Sequence, residues 1–470
     1  MLEILLLIPA LSIVTVWLYC KVAQEVVFTA LAFSIINLAH TLLIVHFFDG
    51  STAAFQFQSL GILGIDGISL WLIFLTNMLM PIVILSSWKA VNIMVKPFII
   101  LLLLIGFWSN AVFMVLDLLL FYISFEGVLI PMFFLIGFYG GRNRKIHAAY
   151  QFFLYTLFGS LLLFLALIVL YLETGTTDYQ VLLTIPISLN RQYILWLAFF
   201  ISLAIKIPMI PVHIWLPEAH VEAPTAASVI LAAILLKLGS YGFLRYVIPL
   251  FPDGSTYFTP LVCTMCILAI IYSSVACLAQ VDAKKIIAYS SIGHMNTATI
   301  ALFTNDYHGL SAGVYFLISH GLISSALFLL IGVLYDRYHT RTIKYYRGLV
   351  MIMPVFTVLF LIFSLANVAV PGTSGFISEF LTFLGALNLN PFIAVSASIA
   401  IVLAPAYALW FFHRVSYGSF STYLPSLYQD VTAKELHLLL PLLFFTFLFG
   451  IYPQLIFEPL HMSCLSLLHD

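Results

Sequence analysis

Three apolar stretches each hold a single charge. Between Leu118 and Gly137 the only charged residue is Glu126; ILWLAFFISLAIKIP holds only Lys206, and SVILAAILLKLGSYGF only Lys237. A charge at the middle of a lipid-spanning helix costs at least about 2.5–3.5 kcal/mol. Each of these groups must therefore face protein or water, and each reads as functional by default. Later apolar runs add His294, His320 and Glu379. The chemistry these types share is proton exchange. Desolvation favours the neutral form of a lysine, and a nearby carboxylate favours its charged form. Moving Glu126 toward or away from Lys206 would then switch the amine between holding and releasing a proton. Histidine titrates near neutrality without help. Ser290 and Ser291, one turn before His294, and Ser324, one turn after His320, can bridge gaps. The competing readings are hydrogen-bonded packing for the histidines and a helix-pinning ion pair for the lysines.

The elements that must position these groups are membrane helices. The chain has 470 residues, 63% hydrophobic and 8% charged, with mean hydropathy +1.13. A soluble domain carries about 25% charge, so this is an all-α polytopic membrane protein. Apolar runs long enough to cross a bilayer fall near 2–19, 26–48, 68–87, 97–116, 118–140, 147–172, 192–217, 224–251, 257–280, 284–303, 307–334, 349–386, 390–416 and 435–456, about fourteen spans. With these limits Lys206, Lys237, His294 and His320 each lie within about two residues of a helix centre, roughly 3 Å along the axis. Glu126 is about three residues off centre. A polar row parallel to the bilayer follows.

Charge placement fixes the parity of the count. Of 18 Lys and Arg, two are within spans. Loops after odd-numbered spans hold Lys21, Lys89, Lys96, Arg142, Arg144, Lys145, Lys284, Lys285, Arg337, Arg341, Lys344, Arg347, Arg414 and Lys434; the opposite side holds only Arg191 and Arg245. By the positive-inside rule both termini are expected on the outer side, the intermembrane-space side in a mitochondrion. No cleavable signal or transit pattern is expected at the start, which favours synthesis inside the organelle over a bacterial plasma membrane.

Two spans are broken. The seventh carries KIPMIPVHIWLPEAH, with Pro208, Pro211 and Pro217, and must break after Lys206. The twelfth is nearly twice the needed length and is interrupted by PGTSG, Pro371, Gly372 and Gly375 included. Unwound backbone at membrane depth survives only where protein or water satisfies it. The breaks lie five spans apart, and an odd offset reverses the crossing direction. Spans 4–8 and 9–13 therefore read as two inverted repeats, a pattern that points to a transport pathway. The expected division is 1–96 for the first three helices, 97–251 and 257–417 for the repeats, and 418–470 for a C-terminal segment with the last helix. In the twelfth span Glu379 lies past the break, toward the outer face.

Other candidates carry less. His213, His220 and Glu222 lie with Glu218 near the inner mouth, suited to proton uptake or to local structure; HxWLPEAH has no metal-ligand spacing. Cys263 and Cys266, a CxxC inside the ninth span, read as small buried thiols. There is no GxGxxG, phosphate loop, metal cluster or haem-ligand pattern, so redox chemistry would belong to partner chains.

The run AIKIPMIPVHIWLPEAHVEAPTAASVILAAILLKLGSYG, followed by DAKKIIAYSSIGHM, ISHGLISSALF, YDRYHTR and PGTSGFISEF, resembles the antiporter-like membrane-arm subunits of respiratory complex I. The resemblance spans about Phe121 to Phe383, and Glu379 stands where one related subunit has lysine. It implies a proton-translocating subunit of an H+-translocating NADH:ubiquinone reductase in the mitochondrial inner membrane. The positions of Glu126 and Lys206 would receive the coupling signal, Lys237, His294 and His320 would relay protons, and Glu379 would lead to the outer exit. It also implies no cofactor in this chain, with NADH, FMN, iron–sulfur clusters and ubiquinone in partner subunits. Neighbouring antiporter-like subunits and phospholipid, cardiolipin included, are the expected partners; nucleic acid is not. The alternatives are a subunit of a sodium/proton antiporter sharing the fold, and a non-pumping scaffold.

Overall fold

The computed structural model describes residues 1–59, 61–88, 90–91, 93–419 and 429–469. Lys89, counted above among the inner-loop cations, and positions 420–428 of the C-terminal segment lie outside the described residues. All fourteen apolar runs are helical. Among the described residues, 10 helices are long and apolar enough to cross a membrane, from Ala23–Phe47 to Ala433–Ile451. The other four runs fall short for physical reasons. Leu2–Leu18 is short, Leu189–Lys206 ends at its break, Ala283–Leu302 carries many polar groups, and the twelfth run is split. That run appears as Leu349–Ile352, Pro354–Asn367 and Ser374–Leu389.

Helix starts follow the sequence. Asp66 accepts from the Ser69 amide, Asp117 from Leu120, Asp282 from Lys284, and Thr432 forms a capping box with Glu435; each satisfies a free first-turn N–H. Asp117 alone separates the fourth run from the fifth, as its position suggests: Val95–Met114 ends, two residues pass, and Leu118–Gly127 begins under the Asp117 cap.

Burial sorts the helices. Gly67–Ser87 and Tyr307–Tyr338 are enclosed over nearly their whole lengths and form the centre. Ala23–Phe47, Lys145–Thr174 and Pro391–Ser416 are largely uncovered, with Phe28, Leu165 and Val402 turned outward. Such an apolar exterior is the lipid-facing surface of a polytopic protein. Ala283–Leu302 packs between Pro252–Ala279 and Tyr307–Tyr338, and Tyr307–Tyr338 packs in turn on Ser374–Leu389. The helices bearing His294, His320 and Glu379 are thus consecutive neighbours.

Three features lie beyond the sequence reading. The fifth run bends at Val128, giving Leu118–Gly127 and Leu129–Tyr139, two residues after Glu126. A small antiparallel hairpin, Gln56–Ser59 with Leu63–Ile65, precedes the third run. After the last expected span a further helix, Gln454–His469, packs against Gly67–Ser87 and Tyr307–Tyr338. Its proline and polar residues blur its periodicity.

Candidate functional site

The first break is built around Lys206. Leu189–Lys206 ends at that lysine, and helix resumes only at Trp215. The interrupted backbone finds partners: the Trp215 indole donates to the Ile205 carbonyl at 2.9 Å, the Asn296 amide donates to the Pro208 carbonyl at 3.4 Å, and Met209 N–H donates to Ala204 at 2.9 Å. The lysine itself is 3% exposed, and its Nζ has no protein hydrogen-bond partner. It lies 4.4 Å from the centre of the Phe125 ring, a cation–π distance. Glu126, next in sequence to that ring, acts on Lys206 electrostatically with Ser160 beside it. The two do not form a contact ion pair, and Oε1 of Glu126 is buried without a partner.

Lys237 follows a wider turn. Leu231–Leu235 is π-helical, and Lys237 Nζ donates back to the Ala232 carbonyl at 2.7 Å. Such bulges recur at functional sites because they redirect side chains and free carbonyls. The same ammonium meets Nδ1 of His320 at 2.8 Å, with Lys237 at 0% and His320 at 4% exposure. Gly239 joins the two lysines sterically. A Cβ there would lie 3.1 Å from Lys206 Cβ and 2.9 Å from Ile207 Cγ1, so only glycine lets the Lys237 helix reach the Lys206 stem.

The row continues through the later helices. The His320 and His294 ring centres are 5.9 Å apart. His294 Nδ1 lies 3.3 Å from Glu379 Oε1, while its Nε2 is buried without a partner. Glu379 sits just past the second break, where Ala369 and Gly372 take positive φ of 63° and 92°. Ser319, beside His320, and Ser374, first residue after the break, share a hydrogen bond of 2.9 Å. Gly450 presses on this break; a Cβ there would overlap the Gly372 carbonyl. Six titratable side chains far apart in sequence therefore stand in the spatial order Glu126, Lys206, Lys237, His320, His294, Glu379.

The helper serines differ in what they already bond. Ser290 and Ser291 both donate to the Ile287 carbonyl in their own helix. Ser324 is buried with a free hydroxyl, as are Ser202 and Ser240 near the two lysines. Of the inner-mouth residues, His220 lies within electrostatic reach of Lys237 and His320 in the row, and of Lys284. His213 packs on Tyr272, with ring centres 5.2 Å apart, and His220 stacks on Phe328 at 4.6 Å. Both ring nitrogens of His220 lack partners. Glu222 is 2% exposed and sits 3.8 Å from Arg341. Cys263 and Cys266 are free, buried thiols. Among the described residues no group of three or more His, Cys, Asp or Glu is arranged to hold a metal ion.

Residues 115–404 match the family described as NADH:quinone oxidoreductase/Mrp antiporter, TM. The chain is 48% identical over 474 residues to NADH-ubiquinone oxidoreductase chain 4 of Arabidopsis thaliana, covering 98% of this chain and 96% of that one. It is 53% identical over 407 residues to the chain of the same name from Prototheca wickerhamii, covering 87% and 78%. The chain belongs to the complex I chain 4 family. A chain in the structure of respiratory complex I from Thermus thermophilus with bound NADH superposes with TM-score 0.90 at 30% identity, covering 100% of this chain and 99% of that one. An archaeal membrane-bound sulfane sulfur reductase shares the fold at TM-score 0.85 and 19% identity. Two residues of this chain 4 site escaped the sequence reading. Gly239 was one glycine among 25, and Asn296 was an unremarked amide two residues after His294. A buried Asn opposite a proline break, where a carbonyl must be left free, is the signal that could have found it.

Proposed function

We propose that Glu126, Lys206, Lys237, His320, His294 and Glu379 form the proton relay of a complex I membrane-arm subunit. One observation carries this reading: the 2.8 Å contact between Lys237 and His320, enclosed at 0% and 4% exposure. A buried ammonium on an imidazole nitrogen is a donor on an acceptor, ready for transfer. A mere structural pin would more cheaply pair a carboxylate with the lysine. At the first lysine, Glu126 acts without contact, so a small movement of either group changes how strongly the ammonium is held. At the far end Glu379 offers a carboxylate to His294 on the outer side of the second break.

In this reading NADH, FMN, iron–sulfur clusters and ubiquinone are handled by other subunits, and energy reaches this chain through its neighbours, antiporter-like subunits among them. The subunit lies in the mitochondrial inner membrane with both termini on the intermembrane-space side. Repeats 97–251 and 257–417 each supply one half of the row, and His213, His220 and Glu222 serve uptake from the inner mouth or hold it in shape. Phospholipid, cardiolipin included, contacts the inner basic loops.

The test is Lys237→Ala in the intact complex, reconstituted into vesicles with an internal pH dye. A relay loses NADH-driven proton uptake. Full retention of both pumping and quinone reductase would leave only a scaffold.

A further inference from the structure

At the level of the inner basic loops the helices leave a cavity of about 1080 Å³. One end is polar and buried. There Arg341, 3% exposed, has Nε and Nη2 without hydrogen-bond partners; Nη2 lies 3.8 Å from Glu222, and the guanidinium sits 5.6 Å from the centre of the Tyr335 ring. Lys284, also 3% exposed, donates to the Ala223 carbonyl at 2.9 Å, and Lys96 donates to the Cys20 carbonyl at 3.1 Å. Lys96, Lys284, Arg341, Glu222 and Asp336 all line the cavity; Asp336 is exposed, and Asp282 also acts on the buried Lys284. The other walls are apolar: Ile100 and Leu101 on one helix, Phe134 and Phe138 on another, with Trp17, Val91 and Met94 at the rim.

We propose that this cavity binds a phospholipid of net negative headgroup from the inner leaflet. Its phosphodiester would lie on Arg341 and Lys284, and its acyl chain along Ile100, Leu101, Phe134 and Phe138. The two buried guanidinium nitrogens without hydrogen bonds, Nε and Nη2 of Arg341, argue for a phosphate. Arginine presents a planar fork matched to phosphate oxygens, and a buried fork with unfilled donors is costly until an anion fills it. Lys96 and Tyr139 lie on the inner side of Leu101 and Phe134, five residues apart on each helix, so the walls run about 7.5 Å into the membrane. Beyond them Ile130 and Ile123, 58% and 44% exposed, continue an apolar track down the same side. A neighbouring subunit's helix could fill the apolar part and would leave the guanidinium unmet. Basic pockets between helices on this side of a membrane suit anionic headgroups.

The placement deepens the phospholipid contact proposed above and is independent of the relay. The experiment uses the intact complex in nanodiscs. They carry either phosphatidylglycerol or phosphatidylcholine bearing the same photoactivatable acyl chain, and labelled peptides are mapped by mass spectrometry. Labelling is expected on 93–101 and 134–139, favouring phosphatidylglycerol about ten-fold, one charge-assisted hydrogen bond's worth of equilibrium. Arg341→Gln should bring phosphatidylglycerol down to the phosphatidylcholine level. Should Arg341→Gln not assemble, Leu101→Trp, which fills the apolar wall and leaves the charges alone, should remove the labelling instead. Equal labelling by the two lipids overturns the proposal. So does absence of label from both segments in the unaltered complex, the result of a protein helix occupying the groove. Neither result touches the relay, which proton uptake in Lys237→Ala reads separately.

Discussion

Replacing His320 in two ways separates a relay from packing. Its Nδ1 is 2.8 Å from Lys237 Nζ, and its ring centre is 5.9 Å from that of His294. Take the imidazole away and the two steps merge into one gap that takes about two waters, each spanning two hydrogen bonds of ~2.8 Å. His320→Leu fills the space with an apolar side chain of similar bulk and keeps it dry. His320→Ala leaves a void next to Lys237 Nζ, the Ala232 carbonyl and two unpartnered groups, His294 Nε2 and Ser324 Oγ. A void with that many polar partners holds water. Both variants cost Lys237 one charge-assisted hydrogen bond, about 1.5–3 kcal/mol, so their stabilities should be close. Their transport should not be. A positioned proton-transfer group contributes about 10²- to 10⁴-fold, so the leucine variant is expected to lose at least 100-fold in proton uptake per unit time, with quinone reductase falling as coupling dictates. The alanine variant should recover part of the rate through water. The assay is NADH-driven acidification in vesicles beside NADH:quinone turnover on the same preparation. A leucine variant that pumps at the unaltered rate and proton-to-electron ratio would make His320 a packing residue and refute the reasoning.

Gly239→Ala places a methyl 2.9 Å from Ile207 Cγ1 and 3.1 Å from both the Leu203 carbonyl and Lys206 Cβ. Overpacking of this kind costs about 1–3 kcal/mol, so the complex should inactivate at lower temperature and pump more slowly, with quinone KM unchanged. Toward the C-terminal end of the Lys237 helix, Arg245 and Asp66 form a buried pair at 2.6 Å, with Tyr241 on the guanidinium at 3.2 Å. Asp66→Asn keeps the cap on Ser69 and should destabilise by about 3–5 kcal/mol by leaving a buried charge unmatched; Asp66→Leu with Arg245→Met should recover that loss less about 1 kcal/mol for the forfeited cap. Thermal inactivation of quinone reductase reads both.

The sequence exposes the parts of this molecule that break a rule of membrane chains. A lone charge in an apolar run is expensive wherever it points, so Glu126, Lys206 and Lys237 stand out without any structure. A proline cluster must interrupt a helix, and both breaks fall at the expected places: helix ends at Lys206, and it ends again at Asn367. The bend at Val128 carries a weaker mark of the same kind: Pro131 cannot donate to the Gly127 carbonyl and crowds it, but one proline in a continuous apolar run does not say whether the helix bends or stops. The pairing order is hidden. Nothing in their spacing says that Lys237 touches His320, 83 positions away, and not His294. Helical periodicity gives the face of a residue and stays silent on which helix that face meets. Orphaned groups such as the Arg341 fork require knowing every neighbour, so a loop arginine at a basic membrane face reads as ordinary until its surroundings are seen.

A single helix ties the two breaks together. Ala283–Leu302 presents Asn296 to the Pro208 carbonyl at 3.4 Å and, two residues earlier, His294 to Glu379 at 3.3 Å. The first contact meets the unwound chain after Lys206, from an amide that also donates to Ile292 at 2.8 Å; the second meets the helix that restarts after Gly372. Both partners are fixed to the same turn of a well-packed helix, which transmits displacement and deforms little. A shift of the first break that lengthens the Asn296 bond therefore moves the turn carrying His294, and with it the His294 to Glu379 distance. Electrostatics runs the same way. Lys206 has no hydrogen-bond partner of its own, so the position of the break and of Glu126 decides how its charge is held. Charge at the Lys206 end and geometry at the Glu379 end are thus linked through backbone as well as through the row of side chains. That second link gives a reason for unwound segments in the proposed relay, whose side chains an unbroken helix could equally carry.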